Sequence, residues 1–192
     1  MKFFRVEPQL VGTLGDDTIH EGWTDRPMRI SKLQIEMDFW PQDDLVEAST
    51  DGYAGTHRLA EAIKKNRLTG VEFDQVDVIE GDQFWLEKDE HPGQTVPELL
   101  WFKFTGKAGV DDFGLIQGPG IFPLVVSERA LVLLKSFSFK NCEIKTLEEA
   151  QVSDMAANEW REFCRECPDS TEEQRTRKRQ EIEFKYGAEN VP

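Results

Sequence analysis

Thr56 to Val76 read THRLAEAIKKNRLTGVEFDQV, and Ser127 to Leu147 read SERALVLLKSFSFKNCEIKTL. Each stretch opens on a hydroxyl residue suited to a helix N-cap. In the first, Leu59, Ala62 and Ile63 share one face of a helix running from about Thr56 to Asn66, with Gly70 placed to close it. In the second, Ala130, Leu131, Leu134 and Phe137 do the same over Ser127 to Phe137. A strand follows each helix; Val71 to Val78 alternates apolar and polar residues in the strand sense. At an offset of 71 residues Arg58 falls on Arg129, Lys64 on Lys135 and Glu72 on Glu143, while Ile63 meets Leu134 and Leu68 meets Phe139. Any two helix–turn–strand units share such periodicity, so duplication and coincidence both stand open. Either way, the middle of the chain is two helix–strand units around a shared sheet.

The rest of the chain fits around these units. Phe3-Phe4-Arg5-Val6 reads as an opening strand, and the Gly/Asp/Thr-rich stretch from Gly12 to Asp25 as loop. Met28, Ile30, Leu33, Ile35 and Met37 recur with a period near two, broken between Ile30 and Leu33, and Trp40 to Asp44 ends that strand. A polar segment containing His91-Pro92-Gly93 leads to the apolar strand Leu99 to Phe104. Phe113 to Ile116 and Ile121 to Val126 bracket a Gly118-Pro119-Gly120 turn. Further on, Ser153 caps a helix carrying Ala156, Trp160, Phe163, Cys164 and Cys167 at three- and four-residue steps, which Pro168 stops. Ser170-Thr171-Glu172-Glu173 is a capping box for a last helix ending near Gly187, with a thin apolar stripe of Ile182 and Tyr186. The expected architecture is α+β: a mixed or antiparallel sheet covered by two helices in residues 1–150, then a helical appendage in residues 151–192.

Charge narrows the function. The 192 residues carry 23 Lys+Arg against 37 Asp+Glu, a formal net charge of −14. Nucleic-acid backbones and acidic membrane surfaces, which need neutralising cations, are excluded as partners on this balance. No run approaches the roughly 18 apolar residues of a spanning helix, and the charged N-terminal stretch does not read as a signal peptide, so a soluble cytoplasmic protein is expected. The acidity is uneven: from Trp160 onward there are 7 basic and 8 acidic residues, leaving 16 against 29 in residues 1–159. The tail's alternating signs suit a solvated helix.

Candidate chemistry is sparse. Three cysteines make no disulfide framework, and Cys164-Arg165-Glu166-Cys167 lies at a helix end, where no helix dipole lowers a thiol pKa, so both read as apolar-face cysteines. His20, His57 and His91 share no ligand spacing and read as surface residues; no metal or cofactor is expected. The acidic pairs Asp16-Asp17, Asp43-Asp44 and Asp111-Asp112 lie in loops, where turn and cap roles are common and acid–base or divalent-metal roles remain open. Walker, dinucleotide and nucleophile-elbow motifs are missing.

Phe122-Pro123-Leu124-Val125-Val126-Ser127-Glu128-Arg129-Ala130-Leu131 resembles a stretch shared by uncharacterised bacterial proteins that include immunity proteins of polymorphic toxin systems. Phe3 to Pro8, Trp40 to Leu45, Pro97 to Trp101 and Gly109 to Gly114 are similar to segments of the same group. The resemblance spans about residues 1–147 and implies a cytoplasmic protein that binds and neutralises a toxin domain, with no catalytic residues. Acidic surface suits that task, because a basic partner is steered by it. The expected function is a non-enzymatic protein-binding module whose contacts include Asp43, Asp44, Asp111, Asp112 and Trp40. Two alternatives stand beside it: an enzyme holding a divalent metal with those four carboxylates, and a scaffold or homo-oligomer associating through its C-terminal helix.

Overall fold

The computed structural model describes residues 2–21, 29–49, 52–116 and 123–190. The chain divides into two compact units, residues 1–144 and 145–192. In chain order the first contains β1 (Phe3–Glu7), β2 (Gln9–Leu14), β3 (Ile19–Glu21), β4 (Arg29–Lys32), β5 (Gln34–Met37), β6 (Leu45–Ala48) and β7 (Gly52–Thr56). Next come α1 (His57–Lys65), β8 (Val71–Gln75), β9 (Asp77–Glu80), α2 (Phe84–Glu90), β10 (Leu99–Phe104) and β11 (Phe113–Leu115). The series closes with β12 (Leu124–Ser127), α3 (Glu128–Leu134) and β13 (Glu143–Thr146). The second unit is a hairpin of α4 (Leu147–Glu166) and α5 (Glu172–Tyr186) with a short 3-10 turn, Ala188–Asn190. The fold is α+β, as expected. No helix among the described residues is long and apolar enough to cross a membrane.

The two helix–strand units are built alike. β7 and β8 flank β10 and run antiparallel to it, and β12 and β13 flank β1 in the same order. The sheet orders β8-β10-β7-β6 and β13-β1-β12-β11 therefore correspond strand for strand. Register agrees as well. Leu99 and Leu100 face Thr56 and Gly55, as Phe3 and Phe4 face Ser127 and Val126; Leu45 faces Gly55 as Phe113 faces Val126. Matching topology and register make this an internal structural repeat, in which the leading strand of each copy, β1 or β10, sits in the sheet of the other.

Insertions around the first copy extend its sheet to seven strands, β8-β10-β7-β6-β2-β5-β9. Its two end strands, β8 and β9, are separated in the chain by Val76 alone. Adjacent trans-linked Cα atoms lie about 3.8 Å apart, so the sheet must curl until its ends meet. The curl encloses one core of Val11, Ile35, Met37, Val46, Phe84 and Trp101, while α1 and α3 cover a second that includes Val6, Leu59, Ile63, Phe102, Phe113 and Leu134. β10 serves both: Leu99 and Trp101 join the first, Phe102 the second, with Leu100 and Phe104 packed against it. A strand buried on both faces reads as a near-continuous apolar run, as Leu99 to Phe104 does apart from Lys103.

Several local expectations are corrected. Much of the 12–25 stretch is strand, because Gly12 is there for close approach: a Cβ on it would lie 2.0 Å from the Glu36 carbonyl oxygen on the neighbouring strand. The break near Ile30 is real and falls at Leu33, between β4 and β5. Helix α2 occupies the segment read as polar connection, anchored by the fully buried Phe84. Helix α4 starts at Leu147, six residues before Ser153, because Thr146 and Glu149 form a reciprocal capping box. Thr171 and Gln174 form the box of α5. Cys164 is half-buried and Cys167 exposed, so the pair is not buried together. Met28, Ile121, Phe122, Trp23 and the Gly118-Pro119-Gly120 turn lie outside the described residues.

Candidate interaction surface

Asp44 and Asp112 occupy equivalent stations. Asp44, whose side chain is 2% exposed, accepts hydrogen bonds from the Arg58 guanidinium at 2.5 and 2.6 Å, from the Thr56 hydroxyl, and from the Ser138 N–H at 2.9 Å. Asp112 accepts from the Ser127 hydroxyl at 2.6 Å and the Thr69 N–H at 2.9 Å, and pairs with Arg129 at 3.0 Å. The cap hydroxyl and the arginine come from the carboxylate's own copy. The N–H comes from the turn after the helix of the other copy, so each carboxylate ties the two copies together. Arg129 also donates to the carbonyls of Asn66 and Arg67 at the end of α1, and Arg58 lies over the Phe137 ring beyond α3, at 5.6 Å. Burial pushes the Asp44 carboxyl up, but the bonds from Arg58, Thr56 and Ser138 outweigh it and hold it below the ordinary carboxylate range.

The other expected contact residues are also accounted for inside the fold. Asp43 is buried and accepts from the N–H groups of Lys140 and Asn141 at 2.9 and 2.6 Å. Trp40, 6% exposed, is stacked on Phe84 and His91, and its backbone N–H donates to the Glu87 carboxylate. Asp111 stays half-exposed and accepts from the Lys107 N–H. Buried side chains with engaged oxygens are not a face a partner meets, so Asp43, Asp44, Asp112 and Trp40 do not supply the surface that sequence reasoning assigned them. Nor do the carboxylates form one cluster: the two stations stand about one α1 length, ~14 Å, apart. Among the described residues no group of three or more His, Cys, Asp or Glu is placed to hold a metal ion. His57 is exposed; His20 and His91 are half-buried, the latter by stacking on Trp40 at 4.6 Å. Burial, and then Asp43, push the Cys142 thiol up to about 11. In the second unit Ile182 is fully buried, and the Tyr186 hydroxyl donates to Glu159 on α4, so the stripe reserved for self-association is already engaged.

A surface of different character lies in the segment that joins the two copies. From Asp77 to Glu90 it carries Asp77, Glu80, Asp82, Glu87, Asp89 and Glu90 against Lys88 alone. Val78, Ile79, Trp85 and Leu86 are exposed among these acids, Trp85 by 60%. Trp85 and Lys88 are three residues apart on α2 and so share a side of the helix, and Lys88 reaches Glu80 at the end of β9 with a 2.6 Å bridge. Beside β9 the curled sheet leaves an open groove of about 490 Å³, lined by Met37, Phe84, Val96 and Leu99 and rimmed by Asp77 and Glu98. The sequence signal was available: Phe84-Trp85-Leu86 is an apolar triplet among acids, obscured because the charges made the whole segment read as connection. No family model, curated protein or solved structure matches the chain.

Proposed function

We propose that this chain is a non-enzymatic protein-binding module, an immunity protein that neutralises a basic toxin domain through the surface formed by β9 and α2. The observation that carries the reading is Trp85, a large aromatic side chain left mostly open to solvent inside a field of six carboxylates. Interfaces concentrate their energy in such aromatic anchors, and charge around them selects the partner. An exposed tryptophan costs solubility without contributing to the core, so it fits a surface made to be covered. The resemblance of residues 1–147 to immunity proteins supplies the partner class.

The test starts from the neighbouring open reading frame, which is expected to encode a large secreted protein with a basic C-terminal domain, and proceeds by co-expression of this chain with that domain; a neighbourhood without such a domain counts against the reading. Protection and complex formation are expected. Trp85→Ala combined with charge reversal at Asp82, Asp89 and Glu90 is expected to abolish both while leaving the fold intact by circular dichroism. Full protection by that variant, or binding indifferent to salt, overturns the proposal.

A further inference from the structure

The way a partner meets this surface follows from the backbone of β9. The strand closes one end of the seven-stranded order and pairs in parallel with β5 alone. The Asp77 N–H donates to Leu33 and the Gly81 N–H to Met37, both toward β5. Alternation along a strand then turns the N–H and C=O of Val78 and Glu80 the other way. That direction is the groove, whose opposite wall is Val96 to Leu100. β9 therefore presents an unpaired strand edge beside an apolar trough, among the described residues. Natural proteins cover, shorten or charge such edges when they are not used. Here the flanking charges are of one sign, and the exposed Val78 and Ile79 stand between them.

We propose that β9 takes its partner by strand addition. An extended segment of the partner, with Lys or Arg alternating with apolar residues, pairs with the Val78 and Glu80 backbone, lays its apolar side chains in the groove, and sets its cations against Asp77, Glu80 and Glu98. The proposal rests on the reading of the β9–α2 surface as the partner contact, and adds the mode of binding and the chemistry of the bound segment. Charge fixes the occupant. A second copy brings the same acids, Asp77, Glu80 and Asp82, against their own kind, and like charges oppose the association. A basic strand meets the opposite sign throughout. In the free protein Lys32 holds Asp77 at 2.9 Å and Lys88 holds Glu80 at 2.6 Å. Both bridges are exposed, and exposed pairs are weak enough for an incoming cation to exchange with them. Backbone pairing supplies affinity and the trough supplies specificity, the division of labour of other edge-strand recognition modes.

The probe is an end-blocked heptapeptide, Lys-Val-Lys-Ile-Lys-Val-Lys, added to the full chain and followed by amide hydrogen exchange. Exchange at Val78 and Glu80 is expected to slow about tenfold or more. The same peptide N-methylated at its Val and Ile residues keeps charge and side chains but loses donors; it is expected to bind about tenfold more weakly or worse. Val78→Pro removes one outward N–H without touching the bonds to β5 and is expected to weaken the unmodified peptide similarly. Because the methylated peptide is tested on unaltered protein, the result stands even if the proline variant folds poorly. Equal binding of the two peptides, unchanged exchange at Val78 and Glu80, or no binding at about 1 mM overturns strand addition. If both peptides bind equally and charge reversal at Asp82, Asp89 and Glu90 weakens both, the acidic surface stands and only the pairing mode falls.

Discussion

A carboxylate placed where Asp44 sits is stabilising only while all its donors are present. Removing its charge leaves the Ser138 N–H and Thr56 hydroxyl, both part-buried, with a poorer acceptor. Asp44→Asn and Asp112→Asn are each expected to cost about 2–3 kcal/mol, read as a shift in denaturant midpoint at constant slope. Since the stations stand a helix length apart, the double variant should lose about the sum, and a large departure would show that they act as one network. The Asp44 pKa lies below its ordinary value, so its contribution is complete above the unfolded value near 3.8 and is lost as pH falls through the folded one. Asp44→Asn should accordingly flatten that part of the acid unfolding curve. The raised Cys142 thiol gives a second test at this scale: at pH 8 iodoacetamide should modify the exposed Cys167 well before Cys142. The aspartates were legible in the sequence as loop acids. Their roles were not, because Ser138 is 94 residues from Asp44 and Thr69 is 43 from Asp112.

Elements held by local chemistry were the ones the sequence disclosed. Helix α1 carries its periodic apolar face within itself, α3 its face and the Ser127 cap, and α5 its capping box, whereas the Thr56 hydroxyl expected to cap α1 donates to Asp44 instead; β10 is apolar enough to be read alone. Strands β2, β6 and β7 were missed because their reasons are remote. Gly12 and Gly55 suggest turns until the neighbour is known: a Cβ on Gly55 would lie 2.7 Å from the Phe102 ring. Gly12→Ala should therefore push β2 off β5 and cost about 2–4 kcal/mol, whereas the same change in a solvated turn would be mild. The α4–α5 hairpin is held differently. Glu159 on α4 receives Lys178 and Lys185 at 2.7 Å each and the Tyr186 hydroxyl at 3.0 Å. The two ammonium groups draw its pKa down to about 2. A depressed carboxylate stabilises above the unfolded value, 4.5, and its contribution disappears as pH falls from there toward 2. Because the side chain is a quarter exposed, Glu159→Gln should cost only about 1 kcal/mol at neutral pH. Thermal unfolding of this unit should lose its acid sensitivity in the same pH interval in that variant.

Across the whole chain, the layout of the structural repeat explains why one offset aligns only part of it. An offset of 71 aligns Thr56 with Ser127 and Arg58 with Arg129, but Asp44 meets Asp112 only at 68, and Phe3 meets Leu99 only at 96. Insertions change the offset between elements, and the exchange of β1 and β10 separates each leading strand from its own sheet, so no single shift reveals the repeat. The same arrangement leaves the proposed contact surface outside the repeated parts, in the joining segment 76–98. In the complex we propose, the two kinds of exposed residue divide the work of association. Long-range attraction comes from the acidic charge of residues 1–159 and acts before contact, whereas Trp85 acts only after water has left the interface. Reversal of Asp82, Asp89 and Glu90 to Lys should lower the association rate with the basic partner about tenfold at low salt, with a much smaller effect near 0.5 M. Trp85→Ala should leave the association rate within about twofold and raise the dissociation rate by about tenfold or more. It should also shift stability by less than about 0.5 kcal/mol, since the side chain is mostly exposed, whereas Trp40→Ala should cost about 3–5 kcal/mol. Surface plasmon resonance across a salt series separates the two rates; a Trp85→Ala variant that dissociates like the unaltered protein would remove this residue from the interface.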